Sequence, residues 1–177
     1  MYFVKELQES TKIQGVLRLN LDTFADNRGE IWTTYTDVDF LPSFVEDKVS
    51  ISGKNVLRGL HGDSEISKLI TCMQGEMQLA ILDLRSESST YGETQMYDLS
   101  DQDPMSIFVP AGCVNGHLCL SERGLFFYKW SEVYNGADNQ VTVKWDDPGL
   151  DLAWKCRDPI VSERDALHGI PAEGVYL

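Results

Sequence analysis

The chain has 177 residues, 42% of them hydrophobic and 24% charged, with a formal net charge of -13. A chain of that size buries a sizeable core as one domain, and its negative balance repels nucleic-acid backbones and anionic membranes, leaving any anionic ligand to a local basic pocket. No apolar run approaches the roughly 18 to 20 residues of a membrane span, and Met1-Tyr2-Phe3-Val4-Lys5-Glu6 lacks the plan of a signal peptide, so the reading is one cytoplasmic domain over residues 1–177 with no membrane or nucleic-acid partner.

Up to Leu21 the pattern is mixed, with Gly15 to Leu21 alternating as a half-buried strand does. Asp26-Asn27-Arg28-Gly29 is a turn, because Asp and Asn bond their own backbone and Gly supplies positive φ. Arg28, taken alone, reads as a solvated turn residue. A strand follows over Glu30 to Tyr35, then a short helical or irregular segment between Asp37 and Val45. Further strands are expected at Val49 to Ser52, Asn55 to His61, Lys68 to Met73, Met77 to Leu84, Thr94 to Leu99, Ser106 to Val109, Gly116 to Leu120, Leu125 to Ser131 and Gln140 to Trp145. Turn signals such as Gln74-Gly75, Asp103-Pro104, Ala111-Gly112 and Asn135-Gly136 separate them. After Trp145 the chain turns irregular, and Ser162 to Leu167 reads as one short helix with Ser162 as its cap. Many short strands at this spacing predict an all-β sandwich or barrel. The cysteines, Cys72, Cys113, Cys119 and Cys156, form no Cys-x-x-Cys pair and read as reduced, buried thiols.

The densest chemistry lies between Asn55 and Lys68. A strand ending in Arg58, His61 and then Lys68 delivers two cations and an imidazole to one end of a sheet, a set that can bind an anion and move a proton. Arg58 and His61 have opposite parity, so both point inward only if the strand bulges at Gly59 or Gly62; otherwise Arg58 reaches in from the rim. Phe126, Tyr128 and Trp130 share a strand face, a stripe that suits a plain core as well as a site. The three histidines, His61, His117 and His168, include no His-x-His pair, so no metal site is expected.

Val56-Leu57-Arg58-Gly59-Leu60-His61, followed by a Lys at the start of the next strand, resembles the signature of the dTDP-4-dehydrorhamnose 3,5-epimerase family. Asp26-Asn27-Arg28-Gly29, Pro110-Ala111-Gly112, Phe127-Tyr128-Lys129, Trp145-Asp146-Asp147-Pro148 and Pro159-Ile160-Val161-Ser162-Glu163-Arg164-Asp165 agree in order, so the resemblance runs from about Thr23 to Ala166. It implies a cupin-like double-stranded β-helix, or jelly roll, with a ligand in the barrel mouth or interior. It also implies a cofactor-independent epimerase that inverts C3, C5 or both in a nucleotide-linked 4-keto-6-deoxy sugar. By resemblance His61 is the base, Asp165 its partner, Lys68 the cation beside the ketone oxygen and Tyr128 the acid. Arg58 and Arg28 are implied to bind the substrate, Arg28 from the partner subunit of a homodimer.

The chain departs from the usual family pattern at several positions. The loop from His61 to Lys68 is shorter than is typical, Gly62-Asp63 replaces an aromatic-Gln pair, and Asn115 stands where most members have a second His, with His117 two residues on. Glu46 and Lys48 occupy positions where a Gln and an Asn often contact the substrate. Lys48, Asp63, Asn115 and His117 are accordingly read as substrate-binding. Asp63, Lys48 and Asn115 look similar to a branch acting on GDP-linked 4-keto-6-deoxy sugars, including heptoses. The competing functions are a ketoisomerase on the same scaffold and a non-catalytic nucleotide-sugar binding module; a pure binder needs neither a base nor an opposed acid.

Overall fold

The computed structural model describes residues 4–177; the first three residues of the N-terminal segment considered above lie outside them. The described elements are β1 (Val4–Glu9), β2 (Leu17–Leu21), β3 (Thr23–Asp26), β4 (Gly29–Trp32), β5 (Glu46–Gly53), β6 (Leu57–Gly62), β7 (Lys68–Gln74), β8 (Glu76–Asp83), β9 (Thr94–Ser100), β10 (Met105–Val109), β11 (Cys113–Cys119), β12 (Arg123–Trp130), a short 3-10 turn (Ala137–Asn139), β13 (Val141–Thr142) and α1 (Glu163–Leu167). They form a six-stranded sheet in the order β1-β2-β10-β7-β12-β5, a five-stranded sheet in the order β13-β6-β11-β8-β9, and a separate β3-β4 hairpin. The expected jelly roll is present.

The two large sheets face each other across a core of Ile70, Ile107, Val109 and Phe126 from one and Met77, Leu79, Ile81, Cys113 and Cys119 from the other. On β8 the alternate residues Ala80 and Leu82 point outward, yet they too are buried. The irregular tail beyond β13 lies over them through Leu150, Leu152 and Trp154. The Gln78 side chain fastens that tail, donating to the Ala153 carbonyl and accepting from the Lys155 N–H. Burial on both faces explains why β8 reads as a nearly continuous apolar run.

Several boundaries differ from the sequence reading. β1 was not expected; it is an edge strand whose Lys5, Glu6, Leu7, Gln8 and Glu9 are exposed, so it carries no alternating signal. β3 was missed for the same reason, all four of its residues being exposed. The strand expected to run to Tyr35 ends at Trp32, and Tyr35 instead packs with Leu41 and Phe44 against the outer face of the six-stranded sheet. The segment between Asp37 and Val45 is irregular, without a helix. Of the strand expected over Gln140 to Trp145 only β13 pairs, on β6, with Val143 bridging to Ile170. Cys72, Cys113 and Cys119 are buried free thiols, whereas Cys156 is partly exposed, because it lies in the tail and not in a strand. No helix among the described residues is long and apolar enough to cross a membrane.

Candidate active site

A cavity of about 270 Å³ opens between the sheets at one end, lined by Arg58, His61, Lys68, Asn115, His117, Tyr128, Trp130, Gln140, Ser162, Arg164 and Asp165. A larger groove of about 790 Å³ lies over the outer face of the five-stranded sheet, between Leu82, Leu84, Tyr91 and Tyr176. It holds no imidazole, so chemistry and not size selects the smaller cavity.

β6 settles the parity question. His61 pairs with Asn115 and Arg58 with His117, so three steps on β6 oppose two on β11. The extra residue falls at the Gly59 end, where φ is 127° and a Cβ would sit 2.4 Å from the Gly116 Cα. Only glycine fits there. The bulge turns Arg58 and His61 to the same cavity, and Arg58 Nε donates to the Ser52 hydroxyl at 3.2 Å.

His61 Nε2 lies 2.5 Å from Asp165 Oδ1. Asp165 comes from α1, 104 residues away in the chain, and the Ser162 hydroxyl caps that helix by accepting from the Asp165 N–H at 3.1 Å. Burial by itself would raise the Asp165 carboxyl; His61, Ser162 and the Gly59 N–H outweigh it and hold the group below the ordinary carboxylate value. An ionised Asp165 accepts the Nε2 proton, which leaves Nδ1 of His61 with the free lone pair.

Lys68 opens β7 and is 4% exposed. Its ammonium donates to the His61 carbonyl at 3.2 Å and to Asn115 Oδ1 at 2.8 Å, and lies 5.3 Å from the centre of the Trp130 ring. Burial pushes it down to about 8, with Asp63 and Cys113 pulling the other way. His117 stacks on Phe126 with ring centres 3.8 Å apart, and burial, reinforced by the charge of Arg58, pushes its imidazole down to about 3. It stands in the wall as a neutral ring at physiological pH.

Tyr128 and Trp130 enter from β12 in the facing sheet, their rings edge to face at 6.0 Å. The aromatic stripe thus runs from core, at fully buried Phe126, into the cavity wall. Base and acid candidates therefore stand on opposed sheets.

Three residues read as substrate-binding lie elsewhere. Asp63 does not line the cavity; its carboxylate accepts from the Glu65 and Ile66 N–H groups and from Gln140 Nε2, which makes it the brace of the short loop before β7. Lys48 stands beside the cavity, paired with Glu46 at 2.7 Å and stacked over Tyr134 at 4.0 Å and Trp130 at 4.6 Å. Arg28 projects from the β3-β4 hairpin, largely exposed and paired with Asp26 at 2.6 Å. Conversely, Trp130, Gln140, Ser162 and Arg164 line the cavity and were not singled out as site residues. The shared face of Trp130 with Tyr128 was a usable signal; Gln140 and Arg164 arrive only through the tertiary fold. Among the described residues no group of three His, Cys, Asp or Glu side chains could hold a metal ion.

The family model described as dTDP-4-dehydrorhamnose 3,5-epimerase matches residues 10–171. A protein of that description from Methanothermobacter thermautotrophicus is 33% identical over 165 residues, 88% of this chain and 89% of its own length. The crystal structure of dTDP-4-dehydrorhamnose 3,5-epimerase from Elizabethkingia anophelis superposes with a TM-score of 0.86 at 28% identity, covering 99% of this chain and all of that one (100%). RmlC from Streptococcus suis, in complex with dTDP-D-xylose, superposes with a TM-score of 0.85 at 30% identity over 99% of this chain and 96% of that one.

Proposed function

Because the chain belongs to the dTDP-4-dehydrorhamnose 3,5-epimerase family, we propose that its cavity inverts C3, C5 or both in a nucleotide-linked 4-keto-6-deoxy sugar without a cofactor. The observation that carries this reading is the His61–Asp165 pair opening on the same cavity as Lys68 and Tyr128. A ketone makes the hydrogens on its neighbouring carbons acidic, since the electron pair left behind delocalises onto the carbonyl oxygen. His61 takes that proton at Nδ1, Asp165 steadies the imidazolium, and Lys68 holds the enolate oxygen. Tyr128 then donates its hydroxyl proton to the carbon from the facing sheet, closing the carbonyl again with inverted configuration. Exchange with water restores both side chains.

The proposed active form is a homodimer in which Arg28 reaches the substrate phosphates of the neighbouring subunit, while Arg58 meets them from its own side. Support comes from the exposure of Arg28 and its distance in the fold from the cavity it would serve.

The experiment is incubation with dTDP- and GDP-linked 4-keto-6-deoxy sugars in deuterated water, following deuterium uptake and product configuration together. The expected result is uptake at C3, C5 or both, lost by about 10² to 10⁴-fold in His61→Asn. Tyr128→Phe should retain exchange while losing inversion, because the proton then returns mainly from the His61 side. A shifted carbonyl would indicate a ketoisomerase, and binding without uptake would leave only a binding module.

A further inference from the structure

Asn115 was read from sequence as a substrate contact, but the structure gives its oxygen to another partner. We propose that Asn115 is a positioning residue for Lys68, an uncharged acceptor that aims the ammonium into the cavity while leaving its positive charge unspent. The inference rests on the proposed function, in which that charge holds an enolate.

The geometry carries it. An ammonium has only donors, so the atom 2.8 Å from it must be the amide oxygen of Asn115, and the amide can stand in one orientation only. The second acceptor is the main-chain carbonyl of His61 at 3.2 Å. Both are neutral. Buried lysines are ordinarily paired with a carboxylate, yet among the described residues none forms an ion pair with Lys68, and Trp130 on β12 offers only its ring face at 5.3 Å.

The charged and titratable groups around Lys68 do not replace that missing partner. Asp63, in the loop after β6, acts through space, its oxygens being taken by the Glu65 and Ile66 N–H groups and Gln140. Cys113 on β11 is a thiol that burial pushes up to about 12, and is therefore neutral. Asp165 on α1 is engaged by His61 and the Gly59 N–H. A carboxylate at position 115 would bind Lys68 more firmly and cancel the charge that an oxyanion needs; an aliphatic side chain would leave the ammonium one acceptor short. Asn avoids both.

The test compares wild type, Asn115→Leu and Asn115→Asp by two readouts: the pH dependence of substrate deuterium exchange, and the direct titration of Lys68 by ¹³Cε NMR without substrate. In Asn115→Leu the Lys68 midpoint and the alkaline limb of the exchange profile should both move to lower pH, with kcat for exchange falling about 10²-fold and KM nearly unchanged. In Asn115→Asp both should move to higher pH, with exchange still slower than wild type. Midpoints that stay at the wild-type position in both variants would overturn the proposal, as would a raised KM with kcat retained, the mark of a substrate contact. If Asn115→Leu does not fold, the upward shift in Asn115→Asp still decides. Should wild type exchange no 4-keto sugar at all, the functional reading fails, and the NMR titration answers the positioning question separately.

Discussion

At the scale of single residues, the site is a set of ionisable groups displaced by burial, which neighbouring groups oppose at Lys68 and Asp165 and reinforce at His117. His117 shows the consequence for stability. Its folded imidazole, pushed down to about 3 by burial first and by the charges of Arg58 and His61 after it, compares with 6.5 in the unfolded chain. Below pH 6.5 the unfolded chain therefore binds a proton that the folded one refuses, and folding loses stability as pH falls from 6.5 toward 3, by at most on the order of 5 kcal/mol. Asp165, held low, adds to the loss only below the ordinary carboxylate value of 3.8. His117→Phe keeps an aromatic ring on Phe126 and removes the titration. Denaturant unfolding of both proteins at pH 7 and pH 4.5 should show wild type losing stability that the variant keeps; equal losses would place the acid sensitivity elsewhere.

At the scale of elements, β6 is where one residue decides the geometry of several. The bulge at Gly59 brings Arg58 and His61 to one wall and also places the Gly59 N–H 3.4 Å from Asp165 Oδ2. A methyl group there would lie 2.4 Å from the Gly116 Cα and 2.9 Å from the Asn115 carbonyl oxygen, all backbone that cannot swing aside. Gly59→Ala is expected to cost about 3 kcal/mol or more, the sum of a strained positive φ and a backbone clash. Thermal melting checks it, and a change below about 1 kcal/mol would mean that β6 and β11 part easily. At α1 the effect is gentler: the Ser162 cap holds Asp165 at the start of a helix only five residues long (Glu163–Leu167), which would not persist without that contact and the packing behind it.

At the scale of the whole molecule, β5 has its faces reversed. Glu46, Lys48, Ser50 and Ser52 point between the sheets, whereas Val49 and Ile51 face outward at 56% and 50% exposure. β5 is also the edge of its sheet, and the β3-β4 hairpin adds Phe24 and Ile31 at 64% and 70% exposure. An open edge and an exposed apolar face on one molecule favour association. The proposed homodimer should therefore give about 40 kDa by light scattering, twice the chain mass of 20.0 kDa, and Val49→Glu should shift it toward monomer and lower exchange activity. A fully active wild-type monomer would refute the assembly.

The local chemistry of the chain was enough to predict an all-β sandwich or barrel, most of its inner strands and the Ser162 cap, whereas the jelly roll and the grouping of His61, Lys68, Tyr128 and Asp165 in one cavity were implied by the family resemblance. Alternation, turn residues and short motifs are properties of neighbouring positions, so they can be read without knowing what lies across the sheet. Exposed edges such as β1 have no apolar alternation to read, and the reversed faces of β5 mislead any reading that puts apolar residues inside. That the bulge falls at Gly59 and not at Gly62, that Asp63 braces a loop, and that Asn115 gives its oxygen to Lys68 were decided by tertiary structure alone. The reason is distance along the chain: Asn115 is 47 residues from Lys68 and Asp165 is 104 from His61, and only the closure of two sheets over a packed core selects those pairs from the many that the same side chains would otherwise allow.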